Sequence, residues 1–240
     1  MKIIKRIVKD SNTLVFLDFE ATETTLEIIS IGAVKAILDS KKQIKSYDKG
    51  FKCYVYTKTP ITPIIENMTG ITNELLEKEG IPFSEALSRL ARYIGDLTFV
   101  HFFTYGNFDL RLLHVEAKAN NLLENNLVLQ IFRKNTDFSQ ILNHYARNST
   151  NQTLSLVKAL KLFKVHPVEP LHDPLSDAKS LLLLYEAFLK SPTILRNEYL
   201  KVLTNNPNLE GPLSKLLKKL LKDKSVTLDD LNTFINEEIN

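Results

Sequence analysis

The sequence predicts an α/β protein: a mixed sheet of five strands flanked by helices, with a small helical appendage at the C-terminal end. Three observations predict it. Residues 14–20 begin with a short run of Leu, Val and Phe, the composition of a strand buried on both faces. Two further strand-like runs, 28–34 and 51–56, follow with connections short enough for an antiparallel meander. Beyond residue 72, helical periodicities alternate with single strand-like runs, the pattern of a sheet covered on both sides.

Taken in order, 21–27 is polar and Thr-rich and suits a hairpin turn after the first strand. In the third strand Phe51, Cys53 and Val55 alternate with Lys52, Tyr54 and Tyr56. Pro60 and Pro63 argue against regular structure at the start of the next stretch. Thr72 has the chemistry of an N-cap for a short helix carrying Leu75 and Leu76. A longer helix over 84–94 places Leu87, Leu90, Ala91 and Ile94 on one stripe.

Residues 98–105 form the fourth strand. Asn107 then caps a helix with Leu110, Leu113 and Ala117 at helical spacing. The apolar run 127–132 is read as the fifth strand, and 137–145 and 153–163 as helices. Asp173-Pro174, an N-cap followed by proline at the first helical position, opens a helix with the stripe Ala178, Leu181, Leu182, Tyr185 and Phe188. Ser191-Pro192 and Asn205-Asn206-Pro207 read as breaks, with two helices beyond them at 211–224 and 228–239.

Composition narrows the function. Of 240 residues 44% are hydrophobic, enough for a sizeable core. A formal net charge of +3 is compatible with a phosphate-rich partner without singling one out. The single cysteine, Cys53, rules out an intrachain disulfide and reads as a packing residue in its strand. Neither common Gly-rich phosphate loop is present. The N-terminal stretch lacks the apolar core of a signal peptide, and the longest Leu run, 181–184, falls far short of the ~18 residues that span a bilayer. The expectation is a cytoplasmic protein with no membrane partner.

The chemistry starts at Asp18 and Glu20. Side chains alternate along a strand, so the two carboxylates share one face. Two like charges at the end of a buried strand need neutralising, and hard divalent cations do this through oxygen ligands. Two more acids fit this pair. Asp109 stands where a strand gives way to a helix, and Asp177 in the first turn of the helix opened by Asp173-Pro174. Either alone could serve as a partner of the helix dipole. His172, five residues before Asp177, has no such explanation.

At these residues the chain resembles the DEDDh family of 3′–5′ exonucleases, which share an RNase H-like fold and include polymerase proofreading subunits and RNA-trimming enzymes. Asp18-Phe19-Glu20 resembles the family's Asp-x-Glu motif at the end of the first strand. Tyr105-Gly106-Asn107-Phe108-Asp109 resembles its second motif, an Asp opening a helix after the fourth strand. His172 and Asp177 match its His-x4-Asp motif, and 63–72 resembles its linker region. Order and spacing agree over 11–190, and Ala21 after the glutamate is closer to the RNA-trimming branch.

The resemblance implies an exonuclease domain over 1–190 and a helical extension over 191–240. It implies a metal-dependent 3′–5′ exonuclease that removes nucleoside 5′-monophosphates from single-stranded DNA or RNA 3′ ends. Two divalent ions, Mg2+ or Mn2+, would be held by Asp18, Glu20 and Asp177, with Asp109 a direct or water-linked ligand. His172 would be the general base, imidazole being the side chain that changes charge near neutrality. Ala21, Thr22 and Met68 are candidates for lining the terminal nucleotide. The competing expectation is a non-catalytic nucleic-acid-binding or scaffold module on the same fold.

The other aromatic and basic features divide less sharply. Phe19 points away from the two acids and is read as core, whereas Phe108 is either core or a stacking residue. His101, inside an apolar strand, is read as a satisfied core group, and His114, His144 and His166 receive no role. In 211–224, Leu213, Leu216, Leu217, Leu220 and Leu221 share a face, with Lys215, Lys218, Lys219, Lys222 and Lys224 mostly elsewhere. Such a helix either packs on its own domain with lysines in water or helps hold single-stranded substrate.

Overall fold

The computed structural model describes residues 2–205 and 209–239. A short helix α1 (Lys2–Ile7) leads into the two long strands β1 (Thr13–Ala21) and β2 (Ile28–Leu38), followed by the short strands β3 (Ile44–Tyr47) and β4 (Phe51–Tyr54). Helices α2 (Pro63–Thr69), α3 (Asn73–Glu79) and α4 (Phe83–Ile94) precede β5 (Val100–Thr104). Next come α5 (Phe108–Ala119), α6 (Asn126–Lys134), β6 (Asn135–Asp137), α7 (Phe138–Tyr145) and α8 (Leu156–Leu162). The long helix α9 (Pro174–Lys190) is followed by α10 (Pro192–Thr204), α11 (Gly211–Asp223) and α12 (Leu228–Ile239).

The sheet runs β3-β2-β1-β5-β6, with β4 also on β2. β1 and β2 pair antiparallel, while β5 joins β1 and β6 joins β5 in parallel. The mixed sheet is as expected, but it holds six strands, not five. β3 was missed because only Ile44 of its four residues is even half-buried, so no apolar alternation marks it. The run 127–132 is helical. Leu127, Val128 and Ile131 bury one helical face, and the Asn125 side chain accepts from the Leu127 and Val128 amides. The fifth position in the sheet path falls instead to the polar edge strand β6.

One proline reading changes. Pro63 does not disrupt structure; it is the first residue of α2, capped by the Thr62 hydroxyl. Ser191-Pro192 is a break as expected, with Ser191 ending α9, but Pro192 opens a further helix, α10. α10 packs back on the body: Leu195 is buried in the main core, and Tyr199 stacks near His144 and Tyr145 at 5.3 and 5.5 Å. Of Asn205-Asn206-Pro207, the last two residues lie outside the described residues. α11 and α12 are tied together by Lys215–Glu237 at 3.1 Å and by Lys219–Asp230.

Each face of the sheet carries a core. Leu14 and Phe16 of β1 pack with Val34, Phe103, Phe138 and, from α9, Leu181, Tyr185 and Phe188. Rings of Phe16, Phe103, Phe138 and Tyr185 meet at centroid distances of 5.4–6.0 Å. Such pairs add ~0.5–1.5 kcal/mol each beyond burial. Val15, Leu17 and Phe19 face the other side, against α4, α5 and α6. Strand alternation therefore sends Asp18 and Glu20 to the α9 face, directly beyond Leu14 and Phe16. Phe19 is core, as expected.

Candidate active site

The C-terminal end of β1 is where the acids meet. The pairing of β1 with β5 ends at Phe16↔Phe103, so the β1 main chain beyond it has no strand partner on that side. Asp109, in the first turn of α5, takes over: its Oδ1 accepts from the Phe19 N–H at 3.0 Å. Hydrogen bonding thus draws the second motif into the first, between the two β1 carboxylates.

From the α9 face come His172 and Asp177. The helix begins where it does because the Asp173 side chain caps it, accepting from Ser176 N at 2.9 Å, and Pro174 pre-sets the first turn. The Asp177 N–H closes that turn on the Asp173 carbonyl at 2.8 Å. His172, just outside, holds a left-handed backbone with φ 59°, which non-glycine residues seldom adopt. Its ring is exposed. One ligand atom each of Glu20, His172 and Asp177 lie within 4.8 Å of one another.

Electrostatics binds Asp18 and Asp109 to that group. Burial, then the charges of Asp109, Glu20 and Asp177, hold the Asp18 carboxyl well above the ordinary range. Glu20, 8% exposed, is pushed up to about 8 by burial and by Asp177 and Asp109. Asp109, 6% exposed, rises to about 7: burial outweighs the Phe19 hydrogen bond, and Asp137 and Asp177 add to it. Burial also raises Asp177, against the pull of His172. Four carboxyls that resist ionising side by side make a site short of positive charge.

All five candidate catalytic residues therefore converge. Of the candidate substrate contacts, Ala21 is the buried last residue of β1, next to Glu20. Thr22 is also buried, and its hydroxyl serves the hairpin, accepting from Glu27 N at 3.0 Å and bonding Thr25 Oγ1 at 2.8 Å. Met68 is 40% exposed on α2, and Phe108 50% exposed at the start of α5. His101 bonds Thr136 Oγ1 at 2.8 Å, and burial pulls it down to about 4, a satisfied interior histidine. Burial pushes the Cys53 thiol up to about 12, which suits packing rather than nucleophilic chemistry.

One charged neighbour escaped the sequence. Lys52 of β4 reaches across to pair with Asp173. Its only signal is register: Lys52 stands opposite Gly32, and Gly32 opposite Asp18.

No protein-family model and no curated protein sequence matches the chain. Solved structures do. The nuclease domain of 3'hExo, a DEDDh family member bound to rAMP, superposes with a TM-score of 0.63 at 18% identity, over 75% of this chain and 93% of that one. The fold is that of the DEDDh nucleases. Cell-death related nuclease 4 matches with a TM-score of 0.61 at 17% identity, over 75% of this chain and 64% of its own. Exonuclease I of E. coli, in complex with a dA16 oligonucleotide, matches with 0.56 at 15%, over 81% of this chain and 44% of its own. Among the described residues no helix is long and apolar enough to cross a membrane.

Proposed function

We propose that this chain is a metal-dependent 3′–5′ exonuclease that removes nucleoside 5′-monophosphates from the 3′ ends of single-stranded DNA or RNA. The observation that carries the proposal is the convergence of Asp18, Glu20, Asp109, Asp177 and His172 from three separate elements at one strand end. The DEDDh fold supports it, since structures sharing that fold include one bound to rAMP and one in complex with a dA16 oligonucleotide. Residues 1–190 form the exonuclease unit in this reading, with 191–240 as a helical extension.

The donor set fits hard divalent cations. It is dominated by carboxylate oxygens that burial raises first of all, with repulsion from neighbouring acids adding to it, and a cation would offset both. Two such ions, magnesium or manganese, supply when bound the positive charge that stabilises the attacking and leaving oxygens of phosphodiester displacement. Asp18, whose carboxyl feels Asp109, Glu20 and Asp177, would be one of the residues that hold them. Glu20, Asp177 and Asp109 complete the set. His172 stands on the solvent side of Glu20 and Asp177, where its ring nitrogen accepts the proton of the attacking water. Ala21 and Thr22 follow directly on Glu20 and Met68 is exposed on α2, and we assign these three to the lining of the terminal nucleotide. In this reading the enzyme acts in the cytoplasm.

A single-stranded oligonucleotide labelled at either end tests this. With manganese or magnesium, the 3′-labelled strand releases labelled mononucleotide at once, while the 5′-labelled strand shortens stepwise. EDTA stops both, and Asp18→Ala abolishes degradation in a protein that still folds. Tight oligonucleotide binding without cleavage under any metal would favour the non-catalytic binding module instead.

A further inference from the structure

Three residues stand in one row across the sheet. Asp18 of β1 pairs with Gly32 of β2, and Gly32 pairs with Lys52 of β4. Directly opposed residues of antiparallel strands point to the same face. Asp18 and Lys52 therefore flank Gly32 on the side that carries α9. Gly32 offers no side chain there, and α9 begins on that bare backbone: a β-carbon on Gly32 would fall 2.0 Å from the Pro174 carbonyl carbon. The helix start is thus seated between a carboxylate and an ammonium.

Lys52 then closes the seat. Its Nζ pairs with one Asp173 oxygen, Oδ2, while the other, Oδ1, caps the Ser176 amide. The two side chains are only 25% and 15% exposed, and the ammonium lies 4.9 Å from the centre of the Tyr54 ring. Half-buried charge pairs of this kind are screened less by solvent than surface pairs. The residue before Asp173 is His172 in its left-handed backbone, a conformation that persists only where neighbours hold it. The residue four beyond Asp173 is Asp177.

We propose that Lys52 is a positioning residue of this site: through the Asp173 carboxylate it fixes the junction that aims His172 and Asp177 at the β1 acids. The role rests on the nuclease reading of those acids, but the device is legible in the protein alone. Lys52 acts here by holding α9 rather than by meeting a substrate phosphate, because its ammonium is already engaged by Asp173.

Four variants test this. Lys52→Met removes the ammonium and keeps the stem. Asp173→Asn keeps a capping oxygen and removes the charge, since Asn caps helices about as well as Asp. Each should lower kcat about tenfold with KM within about twofold, and the double variant should be no worse than either, because one link is cut once. Lys52→Arg should recover most of the rate. In the metal-free protein, the Ser176 and Asp177 amides should exchange hydrogen about tenfold faster in Lys52→Met and Asp173→Asn, with little change in Tm. Unchanged exchange in Lys52→Met would overturn the proposal whatever the nuclease assay shows. A raised KM with kcat intact would also overturn it, by making Lys52 a phosphate contact. Loosened exchange in a protein whose wild type degrades nothing would keep the junction and remove the nuclease reading.

Discussion

The Asp109 carboxylate accepts a hydrogen bond from the main-chain N–H of Phe19, at 3.0 Å and across ninety residues of chain. That amide lies between Asp18 and Glu20, at the point where β1 has outrun its partner β5. The bond therefore does two things. It satisfies an otherwise orphaned donor at the strand end, and it holds a third carboxylate beside the first two.

These two roles can be separated. Asp109→Asn keeps an acceptor oxygen for the Phe19 amide and removes the charge. Its Tm should stay within a few degrees of wild type while exonuclease rate falls by about 10–100-fold or more, since losing even an outer partner of a metal ligand costs about 10–100-fold. Asp109→Ala loses the acceptor too, and leaving the buried amide unpaired costs roughly 1–3 kcal/mol more. Calorimetry beside a rate measurement resolves the pair. Equal activity in Asp109→Asn and wild type would remove Asp109 from the metal set.

The raised carboxyls give the metal-free protein a distinctive pH response. In the fold Glu20 keeps its proton until about pH 8, and Asp109 until about 7. The unfolded chain gives up the same protons near 4.5 and 3.8. Between those limits the unfolded state binds fewer protons than the native one, so the unfolding free energy falls as pH rises. Stability from these groups is fully present below about pH 4 and is lost progressively towards pH 8. In EDTA, Tm should be lower at pH 8 than at pH 5 by about 5 °C or more, and millimolar Mg2+ or Mn2+ should restore it at pH 8. A Glu20→Gln, Asp109→Asn double variant should flatten the slope. A slope unchanged by both substitutions would assign the effect elsewhere.

Legibility in the sequence followed the range of the physics. β1 was visible because its apolar run and its two acids are contiguous, and α9 because Asp173 and Pro174 are adjacent cap and first-turn signals. The stretch 127–132 was misread because six apolar-rich residues suit strand and helix alike. The deciding signal was Asn125, a side-chain cap two residues before it. Thr62-Pro63 was likewise a helix start read as a breaker. Lys52 and Gly32 were invisible for a different reason. Their meaning lies in the β1/β2/β4 register, which no local pattern encodes.

Gly32 allows a direct check on that register. An added methyl would meet Pro174 main-chain atoms at 2.0 and 2.1 Å and the Leu175 nitrogen at 2.3 Å, and backbone cannot swing aside as a side-chain tip can. Gly32→Ala must push the start of α9 off the sheet. The expected loss is about 3 kcal/mol, at the upper end of overpacking, together with near-complete loss of exonuclease activity because Asp177 and His172 move with the helix. A Gly32→Ala protein of wild-type Tm and rate would mean that α9 does not rest on β2 as described.

His172 calls for a substitution that respects its backbone. At φ 59° alanine would add strain to the loss of the ring, whereas asparagine tolerates the left-handed region. His172→Asn therefore removes the imidazole with the least disturbance to the junction. If the ring takes the proton from the attacking water, kcat should fall by about 10²–10⁴ while Mn2+ affinity changes less than about threefold. Because the ring also stands within ligand distance of Glu20 and Asp177, the same variant reads the other possibility. A loss of Mn2+ affinity that matches the loss of rate would make His172 a metal ligand, and the proton would then have to leave by another route.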